Sequence, residues 1–235
     1  MKTCRYNVIH AVLAAIVMVF IVSDNFWHNF LYGAFSKPPP VSTVHMALGL
    51  QATIFGSLLL FLWVSTLFMR KPTEDTEKPS RLHAVLFALY AFVPICLIAF
   101  AILFGSSVIL EKVCGIKAAG QDLVTWLQPG TYPLFTRILL MVFAVFEAPL
   151  IEEPLFRGIM FRGFAKVMPI WVAMAMSGFV FALIHVNAAS FLSLWFLGYA
   201  FAWLYLRTGS ILAPMTAHFL FNSLNLIFVL LGLNV

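Results

Sequence analysis

Arg81 and Glu111 bracket a stretch that contains no Asp, Glu, Lys or Arg. A bilayer span takes about 20 mostly apolar residues. Inside lipid every backbone N–H and C=O must find a partner within the protein, which makes such a run a helix. The chain supplies seven stretches of this kind, at about 8–30, 44–69, 82–110, 134–164, 170–186, 190–206 and 211–231. Only 10% of its residues are charged, against roughly 25% in a soluble domain, and 63% are hydrophobic. The expectation is an all-α, polytopic transmembrane helix bundle of about seven spans. An interfacial helix around 117–127, with Trp126 at headgroup depth, completes it.

The polar punctuation sets the organisation. Pro38, Pro39 and Pro40 form a stiff loop that no helix crosses, and residues 70–81 are a solvated connection. Pro94 predicts a kink in the third span. Residues 1–133 read as an N-terminal scaffold of three spans and the interfacial segment. Residues 134–235 read as a core of four spans, the two making one membrane domain. No internal repeat is present. Lys2 and Arg5 before an apolar run resemble the start of a secretory signal, but no A-x-A site follows, so the segment reads as a retained first span.

The net charge of +5 does not point to nucleic acid, because the basic residues sit in short clusters between apolar runs. With the amino terminus in the cytosol, ten Lys and Arg fall inside (2, 5, 70, 71, 78, 81, 157, 162, 166 and 207) and four outside (37, 112, 117 and 137). That bias fits an integral multi-pass protein with the amino end in, in the plasma membrane of a prokaryote. Cys4, Cys96 and Cys114 have neither CxxC spacing nor a disulfide pattern.

Against this apolar background, the fourth span carries Glu147, Glu152, Glu153 and Arg157. An ionisable side chain at mid-bilayer costs at least about 2.5–3.5 kcal/mol, so the cluster must face the bundle interior or a polar intramembrane cavity. Glu153 and Arg157 share a helix face and can pair. Glu152 lies about 100° around the helix and is left without a local partner. Pro149 and Pro154 bracket the two glutamates and disturb the helix around them. Phe181 and His185 share a face of the fifth span, and His218 and Asn222 a face of the seventh. At 1.5 Å per residue Glu152 and His185 lie roughly 22–24 Å up their hairpin and Asn222 about 20 Å from Gly209, so one shared site is feasible.

Glu152-Glu153-Pro-Leu-Phe-Arg157 resembles the EExxxR motif of the CPBP intramembrane proteases, the family of CAAX prenyl endopeptidases and Abi proteins. Phe181-Ala-Leu-Ile-His185 is similar to its FxxxH motif and His218-Phe-Leu-Phe-Asn222 to its HxxxN motif. The approach from Tyr205 to His218 is also family-like, and the resemblance covers about 139–227. The proline after the two glutamates departs from the commoner pattern and leaves the key positions intact.

The resemblance implies an intramembrane endopeptidase with Glu152, His185, His218 and Asn222 as its catalytic residues. Glu152 and His185 would activate water, and His218 with Asn222 would hold the oxyanion. Glu153 and Arg157 would brace the helix, and Phe181 would pack. The substrate would be a membrane-associated peptide or protein, CAAX-type and prenylated or a bacterial peptide. No cofactor is required on this reading. A zinc-dependent version would use Glu152, His185 and His218 as ligands. Two readings from other classes stay open: a proton- or ion-coupled transporter, which an inverted repeat would favour, and a silent relative that binds membrane partners. Glu147 can be structural or line the cavity. The remaining histidines, 10, 28, 45 and 83, read as interfacial or packing residues.

Overall fold

The computed structural model describes residues 40–46, 48–49, 80–115, 126–185 and 187–233. Within them lie five long helices: α1 (Arg81–Cys114), α2 (Leu134–Phe164), α3 (Ile170–Ile184), α4 (Phe191–Thr208) and α5 (Leu212–Leu230). Residues 41–46 are also helical. The expected first span lies outside the described residues, as do nearly all of the second span and the interfacial helix, of which only the stretches at 41–46, 48–49 and 126–127 are described. Each remaining expected span coincides with one helix to within a few residues.

The protein is an all-α, multi-pass membrane bundle. Among the described residues, three helices, Arg81–Val113, Leu134–Phe164 and Leu212–Leu230, are long and apolar enough to cross a bilayer, and Ile170–Ile184 is apolar but shorter. In an apolar 18-residue stretch of each long span, only 28%, 28% and 22% respectively is buried, and the remaining apolar surface calls for lipid. On α1 the outward side chains include Leu86, Tyr90, Val93, Leu97 and Phe104, all exposed. The inward face is a stripe of Ala84, Ala88, Ala91, Ile95 and Ala99. Small residues at this spacing let helix backbones approach closely, the usual source of association where hydrophobic burial offers little. This stripe packs against α4 and α5.

Local signals set the ends. Ser80 caps α1 by accepting the His83 N–H at 3.5 Å, and Gly115 closes it in the left-handed region at φ +68°. Pro133 and Pro169 stand immediately before α2 and α3, where a missing N–H costs nothing. α1 continues unbroken through Pro94. Hydroxyls stitch the helices where carbonyls are available: Ser193 Oγ donates to Ala99 O at 2.9 Å and Ser106 Oγ to Ala189 O at 2.8 Å.

The tightest crossing joins α3 to α4 at two glycines. A Cβ on Gly178 would lie 2.7 Å from both Trp195 O and Tyr199 N, and one on Gly198 would lie 2.5 Å from Gly178 Cα. The two backbones touch, so either glycine's side-chain hydrogen is the largest group the crossing admits. Gly198→Ala is therefore expected to lower stability by about 1–3 kcal/mol, the usual cost of overpacking. Gly105→Ala, with nothing within 4 Å of its Cβ, should not be destabilising. Detergent-solubilised unfolding titrations of the two variants compare them directly, and equal stability would contradict the packing described.

Candidate active site

α2 is not a uniform α-helix. Two π-helical segments, Phe143–Glu147 and Pro154–Phe161, flank the short α-helical stretch Ala148–Glu153. π-segments widen the backbone ladder and leave carbonyls to be satisfied from outside. The Ala148 N–H bonds to Phe143 O, five residues back. The next residue, Pro149, has no N–H. Neither residue that would ordinarily serve the Ala144 carbonyl does so, and Asn222 Nδ2 on α5 donates to it at 2.9 Å. In the second segment, Phe156 O accepts Ser177 Oγ from α3 at 3.2 Å.

The stretch between the π-segments carries the two glutamates, and both reach His218 on α5. Glu153 Oε1 lies 2.8 Å from His218 Nδ1 and 3.0 Å from Arg157 NH1. Glu152 Oε2 faces the other ring nitrogen, His218 Nε2, at 3.9 Å. The 100° separation expected on a helical wheel thus amounts to the width of one imidazole. Glu153 is not committed to Arg157 alone, as the spacing suggested, but shares one oxygen between a guanidinium and a histidine.

Arg157 and Glu153 are fully buried. Arg157 NH2 donates to Gly198 O at 3.2 Å, and its guanidinium carbon lies 5.7, 5.0 and 5.2 Å from the ring centroids of Phe156, Phe181 and Phe201. Three aromatic faces around a cation replace part of its lost hydration. The glycine crossing of α3 and α4 is what brings the Gly198 backbone to this depth. Phe201 also stacks on His218, with centroids 5.2 Å apart.

Phe181 joins the two histidines. Its ring lies 4.7 Å from that of His185 and 5.8 Å from that of His218. His185 sits just past the last residue of α3, half-buried, with Nδ1 2.7 Å from Phe181 O. A carbonyl only accepts, so Nδ1 carries the proton, and in the neutral ring Nε2 presents a lone pair. By the same reasoning His218 Nδ1 donates to the Glu153 carboxylate.

Among the described residues, the buried polar atoms without a hydrogen-bond partner include Glu147 Oε2, Glu152 Oε2, Glu153 Oε2 and Arg157 Nε. Glu147 ends the first π-segment. His45 bonds to Thr136 Oγ1 and His83 lies beside Phe87, both away from the Glu152–His218 pair; His10 and His28 lie outside the described residues. The lone described free thiol, Cys96, is buried in α1. The donor set that zinc would require does not gather. No group of three His, Cys, Asp or Glu among the described residues could hold a metal ion.

The structure therefore brings Glu152, Glu153, Arg157, Phe181 and His218 into one contact network, with His185 against Phe181 and Asn222 one helical turn beyond His218. The cage formed by Phe156 and Phe201, the Gly198 carbonyl and the Ala144 carbonyl were not foreseen from the sequence. Pro149, five residues after Ala144, was the available signal for the last of these.

Comparison with known proteins falls on this same region. Residues 134–224 match the family model described as type II CAAX prenyl endopeptidase Rce1-like. The chain carries an Rce1-like segment. That segment runs from the start of α2 into α5 and includes every residue of the network. A protein of Bacillus subtilis (strain 168) named "Putative membrane peptidase YdiL" is 29% identical over 85 residues, 36% of this chain and 35% of that relative. The match thus spans about a third of the relative's length. No solved structure matches the chain.

Removing one member of a buried ion pair leaves the other uncompensated, at a cost of about 3–5 kcal/mol. Arg157→Met is expected to lose stability in that range. Glu152→Gln, whose carboxylate meets His218 Nε2 only at 3.9 Å, should change stability by less than about 1 kcal/mol. Reversible unfolding in mild detergent separates the two, and an undiminished Arg157→Met protein would refute the ion pair's role.

Proposed function

We propose that the protein is an intramembrane endopeptidase that hydrolyses a peptide bond of a membrane-associated substrate. The observation that carries this reading is a buried carboxylate–imidazole–carboxylate–guanidinium chain in a lipid-embedded segment matching the Rce1-like family. Hydrolysis of an amide needs a base for water, donors for an oxyanion and a proton for the departing amine.

Glu152 is the base. Its Oε2 is buried, free of hydrogen bonds among the described residues, and faces His218 Nε2. A water held between Glu152 and the Nε2 lone pair of His185 gives its proton to Glu152 as its oxygen attacks the scissile carbonyl. The second N–H of the Asn222 amide, the one not on Ala144 O, donates to the oxyanion. His218, when protonated on both nitrogens, donates to it as well, with Glu153 and Arg157 fixing the ring from behind. As the tetrahedral intermediate collapses, the C–N bond breaks and Glu152 passes its proton to the leaving amine. Each preorganised oxyanion donor contributes roughly 2.7–4 kcal/mol in a well-studied protease. No step requires a metal.

The membrane setting and the match to the Rce1-like family support a membrane-associated peptide or protein as substrate, with a prenylated CAAX-type end and a bacterial peptide as the two candidates. The membrane is proposed to be a prokaryotic plasma membrane, with the amino terminus cytosolic.

Purified protein in detergent is to be given a quenched-fluorescent library of CAAX-type and short hydrophobic peptides. Wild type is expected to cleave. Glu152→Ala and His185→Ala are each expected to lose at least about 10²–10⁴ in rate, the range of a general base, and wild-type cleavage should persist with a strong zinc chelator. Folded wild type that cleaves nothing in the library would count against the proposal. Cleavage that survives Glu152→Ala would overturn the mechanism, and cleavage abolished by the chelator would replace it with a metal-dependent one.

A further inference from the structure

We infer that Pro149 is a positioning residue for Asn222, acting through the carbonyl of Ala144. This inference rests on the peptidase reading for its effect on rate, but its structural core does not. A carbonyl within lipid must be paired, and its helical donors would come four or five residues later. Here the first donor, the Ala148 N–H, is drawn to Phe143 by the π-turn. The second position is Pro149, which has none to offer. The carbonyl is left to Asn222, whose Nδ2 meets it at 2.9 Å across the α2–α5 contact.

The consequence is orientation. An amide side chain has a broad terminal torsion and can turn through many angles. Fixing one N–H of its NH₂ group on a backbone acceptor fixes the direction of the other, because the amide is planar. Asn222 is only half-buried, and among the described residues its amide is held by the Ala144 carbonyl. Phe146 and Phe219, with ring centroids 5.0 Å apart, hold α2 and α5 together beside this point. The proline is fully buried, so its replacement changes both packing and hydrogen bonding, and the two effects have to be separated.

Pro149→Ala and Pro149→Val both supply an N–H, and Val keeps most of the volume. Both are made in the full chain in detergent, with Asn selectively labelled with ¹⁵N. The Asn222 side-chain resonances are identified by their loss in Asn222→Ala. In wild type one of the two N–H signals should be displaced from its free-amide position by the Ala144 carbonyl. Both Pro149 variants should return that signal towards its free-amide position to a similar extent. With a peptide that wild type cleaves, kcat should fall by roughly 10- to 100-fold at nearly unchanged KM, as misplaced catalytic groups do. Pro149→Ala combined with Asn222→Ala should lose little more than Asn222→Ala alone.

Unchanged Asn222 resonances in both Pro149 variants would overturn the inference whether or not the protein cleaves peptides. Additive losses in the double variant, or a loss in Ala that Val restores, would also overturn it by assigning Pro149 a packing role. Loss of that displacement in the Pro149 variants of a protein whose wild type cleaves nothing would sink the peptidase reading and leave the Pro149–Asn222 link standing.

Discussion

A fully buried guanidinium organises this bundle. Transferring such an ion out of water carries a penalty of several kcal/mol even after relaxation, and Arg157 recovers it from four directions. Glu153 answers from one turn earlier on α2, and the Gly198 carbonyl from α4. The rings of Phe181 on α3 and Phe201 on α4 close over its faces. Glu153 in turn reaches His218 on α5. One cation therefore ties four helices to a single point, and none of those helices can shift without exposing a charge to an apolar environment. The alanine stripe of α1 and the glycine crossing of α3 with α4 hold the backbones close enough for this to happen.

The second organising constraint is the backbone of α2. Regular helix would satisfy every interior carbonyl and leave nothing for neighbouring helices to bind. Two prolines and two π-segments interrupt it on either side of the glutamates, and the freed acceptors become docking points. Asn222 takes one from α5 and Ser177 takes one from α3. The irregular helix thus serves a structural end in lipid that a polar side-chain network would serve in a soluble protein, and it does so without adding charge.

Much of this was legible in the residues. The apolar runs between 82 and 231 locate five helices because a lipid-embedded backbone has few alternatives to helix, and proline and glycine mark their ends. The i, i+4 spacing of Glu153 and Arg157 anticipates their ion pair. The chain order of Glu152, His185, His218 and Asn222 singles them out as polar residues where polarity is costly. What could not be read is everything that depends on how the helices meet. The sharing of Glu153 between Arg157 and His218, and the approach of Glu152 to the opposite side of the same ring, follow from the rotation of α5 against α2. The Gly178–Gly198 contact depends on a crossing angle, and Phe201 looked like any of the 25 phenylalanines in the chain.

The asymmetry between the two adjacent glutamates gives the network its chemical direction. Both are carboxylates on one stretch of helix, yet Glu153 Oε1 is hydrogen-bonded to a histidine and a guanidinium, while among the described residues Glu152 Oε2, like the second oxygen of Glu153, has no such bond. Charge-assisted hydrogen bonds hold the first oxygen in place. The same imidazole separates the two, donating through Nδ1 to the committed carboxylate and facing the free one with Nε2. Arg157 thus bears on Glu152 indirectly: by fixing Glu153 it fixes His218, and by fixing His218 it sets what the uncommitted carboxylate faces. Identical residue types acquire separate roles from their partners alone, and the partners come from two helices, α2 and α5.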